Sequence, residues 1–131
     1  MKVSQYARGH STLSIHLNDF LKEELISFTG RDFGEILRKR VEKEVGTFKD
    51  LECLYSKIEI IFPMSLVAVN STFVDGFFES LMKRHVLREL SDGTDLMYEY
   101  SLKGPRGVVR RVKQELSFME GYHYFKPFEL G

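Results

Sequence analysis

Three polar residues, Asn70-Ser71-Thr72, separate the apolar segment Leu66 to Val69 from a longer apolar pattern that begins at Phe73. All three residue types are favoured at a helix N-terminus, where a side-chain oxygen accepts a hydrogen bond from a free backbone N–H. The free N–H groups and the positive end of the helix dipole also stabilise a phosphate group. Ser71 and Thr72 are therefore candidate phosphoacceptors. Capping, which contributes about 1 kcal/mol, is the structural alternative and is compatible with that role.

Two carboxylates, Asp75 and Glu79, follow four residues apart on the same predicted helix. Residues at this spacing share one face of a helix. Together with Asn70, Ser71 and Thr72 they outline a candidate partner-binding surface. An acid–base pair is the alternative, but no partner base lies nearby in the sequence, and two carboxylates on a solvated face are an ordinary arrangement.

Other chemistries have little support in the residue pattern. The four histidines are not spaced as metal ligands, and a single cysteine excludes an intramolecular disulfide and a cysteine-based metal site. Cys53 lies in an apolar run and is expected to be a small buried hydrophobic residue. The segment Gly104 to Gly107 lacks the Lys-Ser/Thr pair of a phosphate-binding loop. No catalytic residue, metal site or cofactor is therefore predicted.

The composition is typical of one soluble globular domain. The chain has 131 residues, of which 43% are hydrophobic and 29% charged, and its formal net charge is zero. This balance produces no field that would attract nucleic acid or an anionic membrane. The basic residues between Arg106 and Lys113 are interpreted as a solvated face. No apolar run reaches the ~18 residues of a membrane span, and no signal-peptide core is visible, so a cytoplasmic location is expected.

The hydrophobic pattern predicts the elements that position this surface. Ile58 to Phe62 is an apolar run suited to a buried strand. From Phe73 the apolar residues recur at helical spacing, and the helix is expected to end near Leu90. An earlier helix is predicted from a capping-box-like start at Thr29 to a C-terminal cap at Gly46.

The two ends of the chain complete the prediction. Residues 1–28 are expected to hold a hairpin, with its second strand from Thr12 to Leu17, and a connector that could include a short helix. Asp95 to Leu102 is a predicted strand, and Pro105 suits the first turn of a third main helix that runs to Met119. A short closing strand is then expected. If it forms a sheet edge, three aromatic residues could pair it with a second copy of the chain, as a homodimer: Tyr122, Tyr124 and Phe125.

The predicted order is hairpin, helix, strand, helix, strand, helix, strand. Strands that alternate with helices favour a largely parallel or mixed sheet of about four to five strands with helices packed on it. We therefore expect a single α/β sandwich domain that spans residues 1–131.

The polar segment Asn70-Ser71-Thr72, at the start of the predicted helix, resembles the corresponding segment in the STAS domain of anti-sigma-factor antagonists. In those proteins a serine at this place is the phosphoacceptor. The chain is more similar still to a STAS-like family of unknown function. That family's Ser/Thr-Gly-x-x-Phe helix start is matched by Thr29-Gly30-Arg31-Asp32-Phe33, and its Ser-Ser-Phe-x-Asp/Glu segment by Ser71-Thr72-Phe73-Val74-Asp75. The tail from Leu102 to Leu116 is similar to the last loop and helix of a STAS domain. The resemblance covers residues 29–126.

The resemblance implies a non-enzymatic regulatory module that binds another protein. A partner kinase of the histidine-kinase-like ATPase type would phosphorylate Ser71, or Thr72 beside it, and ATP and magnesium would belong to that partner. The added charge would then repel the partner from a surface that includes Asn70, Asp75 and Glu79.

Two departures from the pattern favour an alternative function. Asn70 replaces the usual acidic residue, and Phe73 replaces the glycine of the phosphorylated antagonists. The alternative is a constitutive binder or inhibitor, phage- or defence-associated, that uses the same scaffold without phosphorylation. A small enzyme or nucleotide-binding domain is a third interpretation, for which no catalytic constellation is visible.

Overall fold

The computed structural model describes residues 11–92, 98–119 and 129–130, and for residues 85–92 and 129–130 it describes the backbone alone. The first strand of the predicted hairpin and the predicted closing strand at Tyr122, Tyr124 and Phe125 lie outside these ranges. The elements in chain order are β1 (Thr12–His16), a 3-10 helix (Leu17–Phe20), β2 (Ser27–Phe28), α1 (Arg31–Glu44), α2 (Phe48–Leu54), β3 (Lys57–Ile61), β4 (Ala68–Val69), α3 (Ser71–Asp92), β5 (Glu99–Lys103), α4 (Arg106–Leu116) and β6 (Glu129–Leu130).

Strands and helices alternate along the chain, so the predicted α/β class is confirmed. The main sheet is formed by β1, β3 and β5, with the short β6 beside β5. A second sheet of two short strands pairs β2 with β4. Every strand pair in the described ranges is parallel, which selects the parallel alternative over the mixed one for this part of the chain. β1 pairs with β3, and the paired residues Thr12 and Lys57 are 45 positions apart in the sequence.

The two faces of the main sheet differ in polarity because successive side chains of a strand point to opposite faces. One cross-strand row consists of Ile15, Ile60 and Leu102, all buried in the core. The opposite face includes Glu59, which accepts a hydrogen bond from the Ser14 hydroxyl at 2.7 Å and pairs with Lys103 at 2.8 Å. These polar partners lower the pKa of Glu59, the Lys103 hydrogen bond most strongly. Strand periodicity therefore sorts apolar residues into the core.

Two glycines let α1 and α3 pack closely. A Cβ atom added at Gly34 would lie 2.5 Å from the backbone oxygen of Phe73. A Cβ added at Gly76 would collide with the backbone oxygen of Arg31, at closer range still. Neither contact could relax by a side-chain rotation, because backbone atoms are involved. The absence of side chains at these two positions therefore sets the separation of the helices that carry the candidate site.

The start of α1 differs from the predicted capping box. The N-cap residue is Gly30, not Thr29, and no side chain of the N-cap residue closes the first turn. Gly30 has φ of +95°, a conformation that a residue with a Cβ rarely adopts. Thr29 is exposed. The predicted end is confirmed, since Val45 is the C-cap and Gly46 follows it with φ of +133°.

The helix α2 was not predicted. Its N-cap is Thr47, whose side chain accepts a hydrogen bond from the N–H of Asp50 at 3.2 Å, so a Thr-x-x-Asp capping signal was present in the sequence. The expectation that Cys53 is buried is wrong, because the side chain is exposed. The helical turn directs Leu51 and Glu52 into the core and leaves Cys53 outside. An apolar run of this kind does not by itself show which residues a short helix turns outward.

α3, β5 and α4 follow in the predicted order, whereas the short strands β2 and β6 were not predicted. α3 extends to Asp92, two residues beyond the predicted end, and β5 begins at Glu99. Tyr98 and Tyr100, in the predicted strand from Asp95 to Leu102, are buried. α4 begins directly after Pro105. None of the helices in the part of the chain that the structure describes is long and apolar enough to span a membrane.

Candidate functional site

Asn70 links the N-termini of two helices. Its side-chain Oδ1 accepts a hydrogen bond from the backbone N–H of Phe73 at 3.0 Å, the usual contact of a helix cap. The same oxygen accepts the hydroxyl of Thr72 at 3.0 Å and the N–H of Gly30 at 3.3 Å. Because Gly30 is the N-cap of α1, one side chain holds the beginnings of α1 and α3 together. The capping prediction is therefore confirmed for Asn70.

Ser71 and Thr72 have different environments. Ser71 is the first residue of α3 and is half-buried, and no group among the described residues forms a hydrogen bond with its hydroxyl. Thr72 is exposed, but its hydroxyl already donates to Asn70. Because Asn70 caps the helix, Ser71 is not required for capping, and it stands in the first turn, where backbone N–H groups lack intrahelical partners.

Asp75 and Glu79 lie one and two turns further along α3, and both are half-exposed. Glu79 forms an ion pair with Arg31, at the start of α1, with an N–O distance of 3.1 Å. The hydrogen bond and charge of Arg31 lower the pKa of Glu79, and the same contacts raise the pKa of Arg31, with a smaller contribution from the charge of Asp75. The structure therefore adds a cation, Arg31, that was not predicted for this surface.

A groove of about 370 Å³ opens beside these carboxylates, between α3 and the end of α4. Its polar lining comprises Asp75, Glu79 and Lys83. Its apolar lining includes Met82 and the ring of Phe118, which is 77% exposed. The groove joins acidic, basic and apolar groups on one surface. That combination is common in protein-binding sites.

A second cluster, in the core, was not predicted at all. Glu52 of α2 is fully buried and forms two hydrogen bonds with the guanidinium of Arg84 in α3, at 2.6 and 3.0 Å. Tyr100 of β5 donates its hydroxyl to the same carboxylate. Burial, followed by the charge and hydrogen bond of Glu52, raises the pKa of Tyr100 well above its ordinary value. The only signal in the sequence was a carboxylate inside an apolar run.

This cluster is distant from Ser71. Arg84 lies thirteen residues after Ser71 on α3, which corresponds to about 20 Å along the helix axis. Burial alone would lower the pKa of Arg84, but the hydrogen bonds and charge of Glu52 raise it overall. All the charged groups of the cluster are paired, and it lies in the core. We therefore assign it to the stability of the fold.

The remaining candidates stay apart. The arginines of α4 are exposed and Lys113 is half-buried, and Arg111 forms an ion pair with Glu115 on its own helix at 2.9 Å. In the described ranges no group of three or more side chains could hold a metal ion. The self-association edge at Tyr122, Tyr124 and Phe125 lies outside them. No known protein family, curated protein or solved structure matches the chain.

Proposed function

We propose that this chain is a non-enzymatic regulatory module of the STAS type that binds another protein through the N-terminal half of α3. The hydroxyl of Ser71 supports the proposal, because Asn70 caps α3 and leaves this hydroxyl without a hydrogen bond among the described residues. A serine in that position is able to accept a phosphate without loss of the helix cap. Thr72, whose hydroxyl is bound to Asn70, is the less favourable acceptor.

Two opposing electrostatic effects would act on a phosphate group at Ser71. The N-terminus of α3 attracts the roughly two negative charges that phosphorylation adds. The carboxylate of Asp75, four residues along on the same face, repels them. The modification therefore leaves the helix formed while it changes the charge of the partner-binding surface, which includes Asn70, Ser71, Thr72, Asp75 and Glu79. This is the behaviour required of a charge switch.

The partner that fits this role is a kinase of the histidine-kinase-like ATPase type, which would bring ATP and magnesium with it. The test begins with the tagged chain expressed in its native host, followed by mass spectrometry of the co-purified proteins and of Ser71. Binding of the recovered partner is then measured with Ser71→Asp and Ser71→Ala. We expect the first variant to weaken binding and the second to preserve it. Equal binding by the wild type and both variants would remove Ser71 from the mechanism.

The groove beside Phe118 supports a second candidate function, that of a constitutive binder. A large, mostly exposed aromatic ring next to Met82 provides binding area that does not depend on Ser71. In this case the partner co-purifies with unmodified Ser71, and Phe118→Ser weakens the complex while Ser71→Asp does not. The two substitutions therefore separate the switch from the constitutive binder.

A further inference from the structure

A crevice of about 330 Å³ lies at the C-terminal ends of two neighbouring parallel strands. His16 is the last residue of β1 and Ile61 the last residue of β3, and both line it. In open α/β sheets, ligands characteristically bind outside the carboxyl ends of the strands. The polar groups on its wall belong to His16, Asn18, Glu24 and Ser65, and the apolar ones include Pro63 and Met64. This crevice is distinct from the groove beside Phe118.

An apolar patch adjoins the crevice. It consists of Ile26, Met64 and Val67, whose side chains are 64%, 77% and 72% exposed. Met64 belongs to both features. Ile26 and Val67 are neighbours, since the carbonyl of Ile26 accepts the N–H of Val67 at 2.8 Å. Single exposed apolar residues are ordinary, but a cluster rimmed by polar groups marks an interaction surface.

The segment that borders the crevice is acidic. Between Leu17 and Ile26 the sequence has three carboxylates, Asp19, Glu23 and Glu24, and one cation, Lys22, and all four are exposed. None of the three carboxylates forms an ion pair within the described part of the chain. Arg40 of α1 contacts this segment by donating a hydrogen bond to the backbone oxygen of Phe20 at 3.2 Å. The rim therefore presents an excess of negative charge that is not neutralised by these residues.

We infer that the crevice and patch together bind a segment of a partner protein in which a lysine or arginine is flanked by apolar residues. The basic side chain enters the crevice toward Glu24, and its apolar neighbours cover Ile26, Met64 and Val67. Charge complementarity selects this occupant, because Glu24 lines the crevice and Asp19 and Glu23 lie in the same exposed segment. These carboxylates repel an acidic segment, and a neutral segment would leave them without a counter-charge. The inference rests on the proposed role as an interaction module and names the chemistry of its partner.

The binding surface lies close to Ser71 along the chain. Val67 leads directly into β4, which ends one residue before Asn70. A segment bound on the patch therefore lies next to the strand that leads to Ser71 at the start of α3. Its binding does not require Ser71, however, so the two surfaces are tested separately.

The test uses a library of random 12-residue peptides displayed on phage and selected against the full chain. Enriched peptides are synthesised with a fluorescent label, and their affinity is measured by anisotropy. We expect enrichment of lysine or arginine beside apolar residues. Glu24→Lys should weaken binding about tenfold, because a like charge replaces the opposite one. Val67→Ser should weaken it several-fold through lost apolar contact.

Two matched control variants change an exposed charge and an exposed apolar side chain outside the crevice and the patch. Glu44→Lys reverses an exposed charge at the end of α1, and Ile36→Ser removes an exposed apolar side chain from the same helix. Both should leave peptide affinity unchanged. No enriched peptide, an acidic consensus, or affinity unaffected by Glu24→Lys and Val67→Ser would overturn the inference. Concentration-dependent dimerisation that is abolished by Val67→Ser would overturn it too, and would assign the patch to a second copy. The peptide experiment uses no Ser71 variant. Its outcome therefore does not decide whether Ser71 acts as a switch, which is tested separately.

Discussion

The carboxylate of Glu52 and the guanidinium of Arg84 form a two-point contact in the core that joins α2 to α3 across 32 residues of sequence. Glu52 has no exposed surface, whereas the side chain of Arg84 is 20% exposed. Loss of one partner of a buried ion pair is strongly destabilising, because the other charge remains in the core. The pair therefore ties the position of α3 to the rest of the fold.

Arg84→Met is expected to lower the free energy of unfolding by about 3 kcal/mol, since it leaves the Glu52 carboxylate buried with its main counter-charge removed. The double variant Glu52→Met/Arg84→Met should be more stable than the Arg84 single variant, because apolar residues of similar size can replace a buried ion pair. Urea unfolding followed by circular dichroism measures both. If the loss of stability in the double variant equals the sum of the losses in the two single variants, the two residues are not coupled.

The raised pKa of Tyr100 makes stability sensitive to alkaline pH. In the unfolded chain tyrosine ionises near pH 10, but in the fold Tyr100 keeps its proton to higher pH. The folded state then binds more protons than the unfolded state, so stability falls as pH rises above about 10. Tyr100→Phe should be less stable at neutral pH, through the lost hydrogen bond, but should lose less stability between pH 9 and 11, as denaturant midpoints would show. Equal pH slopes for both proteins would contradict this expectation.

Asn70 and Ser71 are adjacent but should respond differently to truncation. Asn70→Ala removes the cap of α3 and the link to Gly30, so we expect a loss of about 2 kcal/mol, the upper end for a helix cap. Ser71→Ala should change stability by less than about 0.5 kcal/mol. Thermal unfolding of both variants measures the difference. A loss at Ser71 as large as that at Asn70 would mean that the serine has a structural role and is a poorer candidate for a switch.

Gly76 and Gly107 provide a matched pair of glycines within helices. Gly76→Ala places a Cβ against the backbone of Arg31 and should cost about 1–3 kcal/mol as α1 and α3 move apart. A Cβ at Gly107 meets no atom within 4 Å among those described. Gly107→Ala should therefore stabilise the protein by about 0.5–1 kcal/mol through helix propensity. Chemical denaturation measures the change in the free energy of unfolding for each variant. Equal changes in the two variants would refute the close packing of α1 on α3.

Much of the fold follows from the sequence alone because it depends on local periodicity. Apolar spacing identified β3, α1, α3 and α4, and Gly46 marked the end of α1. The failures have specific causes. Thr29 stands three residues before Asp32, as in a capping box, but the N-cap of α1 is Gly30. The apolar run around Cys53 predicts burial, but the run forms a helix of only seven residues, and Cys53 is exposed on it.

Amino-acid types and spacing determined that a strand leads through polar residues into an apolar helix near Ser71, within an alternating α/β order. Only the tertiary structure decided which polar residue is the cap and which is free. The cap contact between Asn70 and Phe73 is local, but the same oxygen also accepts the N–H of Gly30, 40 residues earlier, and no local pattern contains that contact. The pairing of Glu52 with Arg84 and the crevice beside Met64 depend equally on contacts between distant segments. Periodicity determines which face of each element is apolar, but packing determines which polar groups meet.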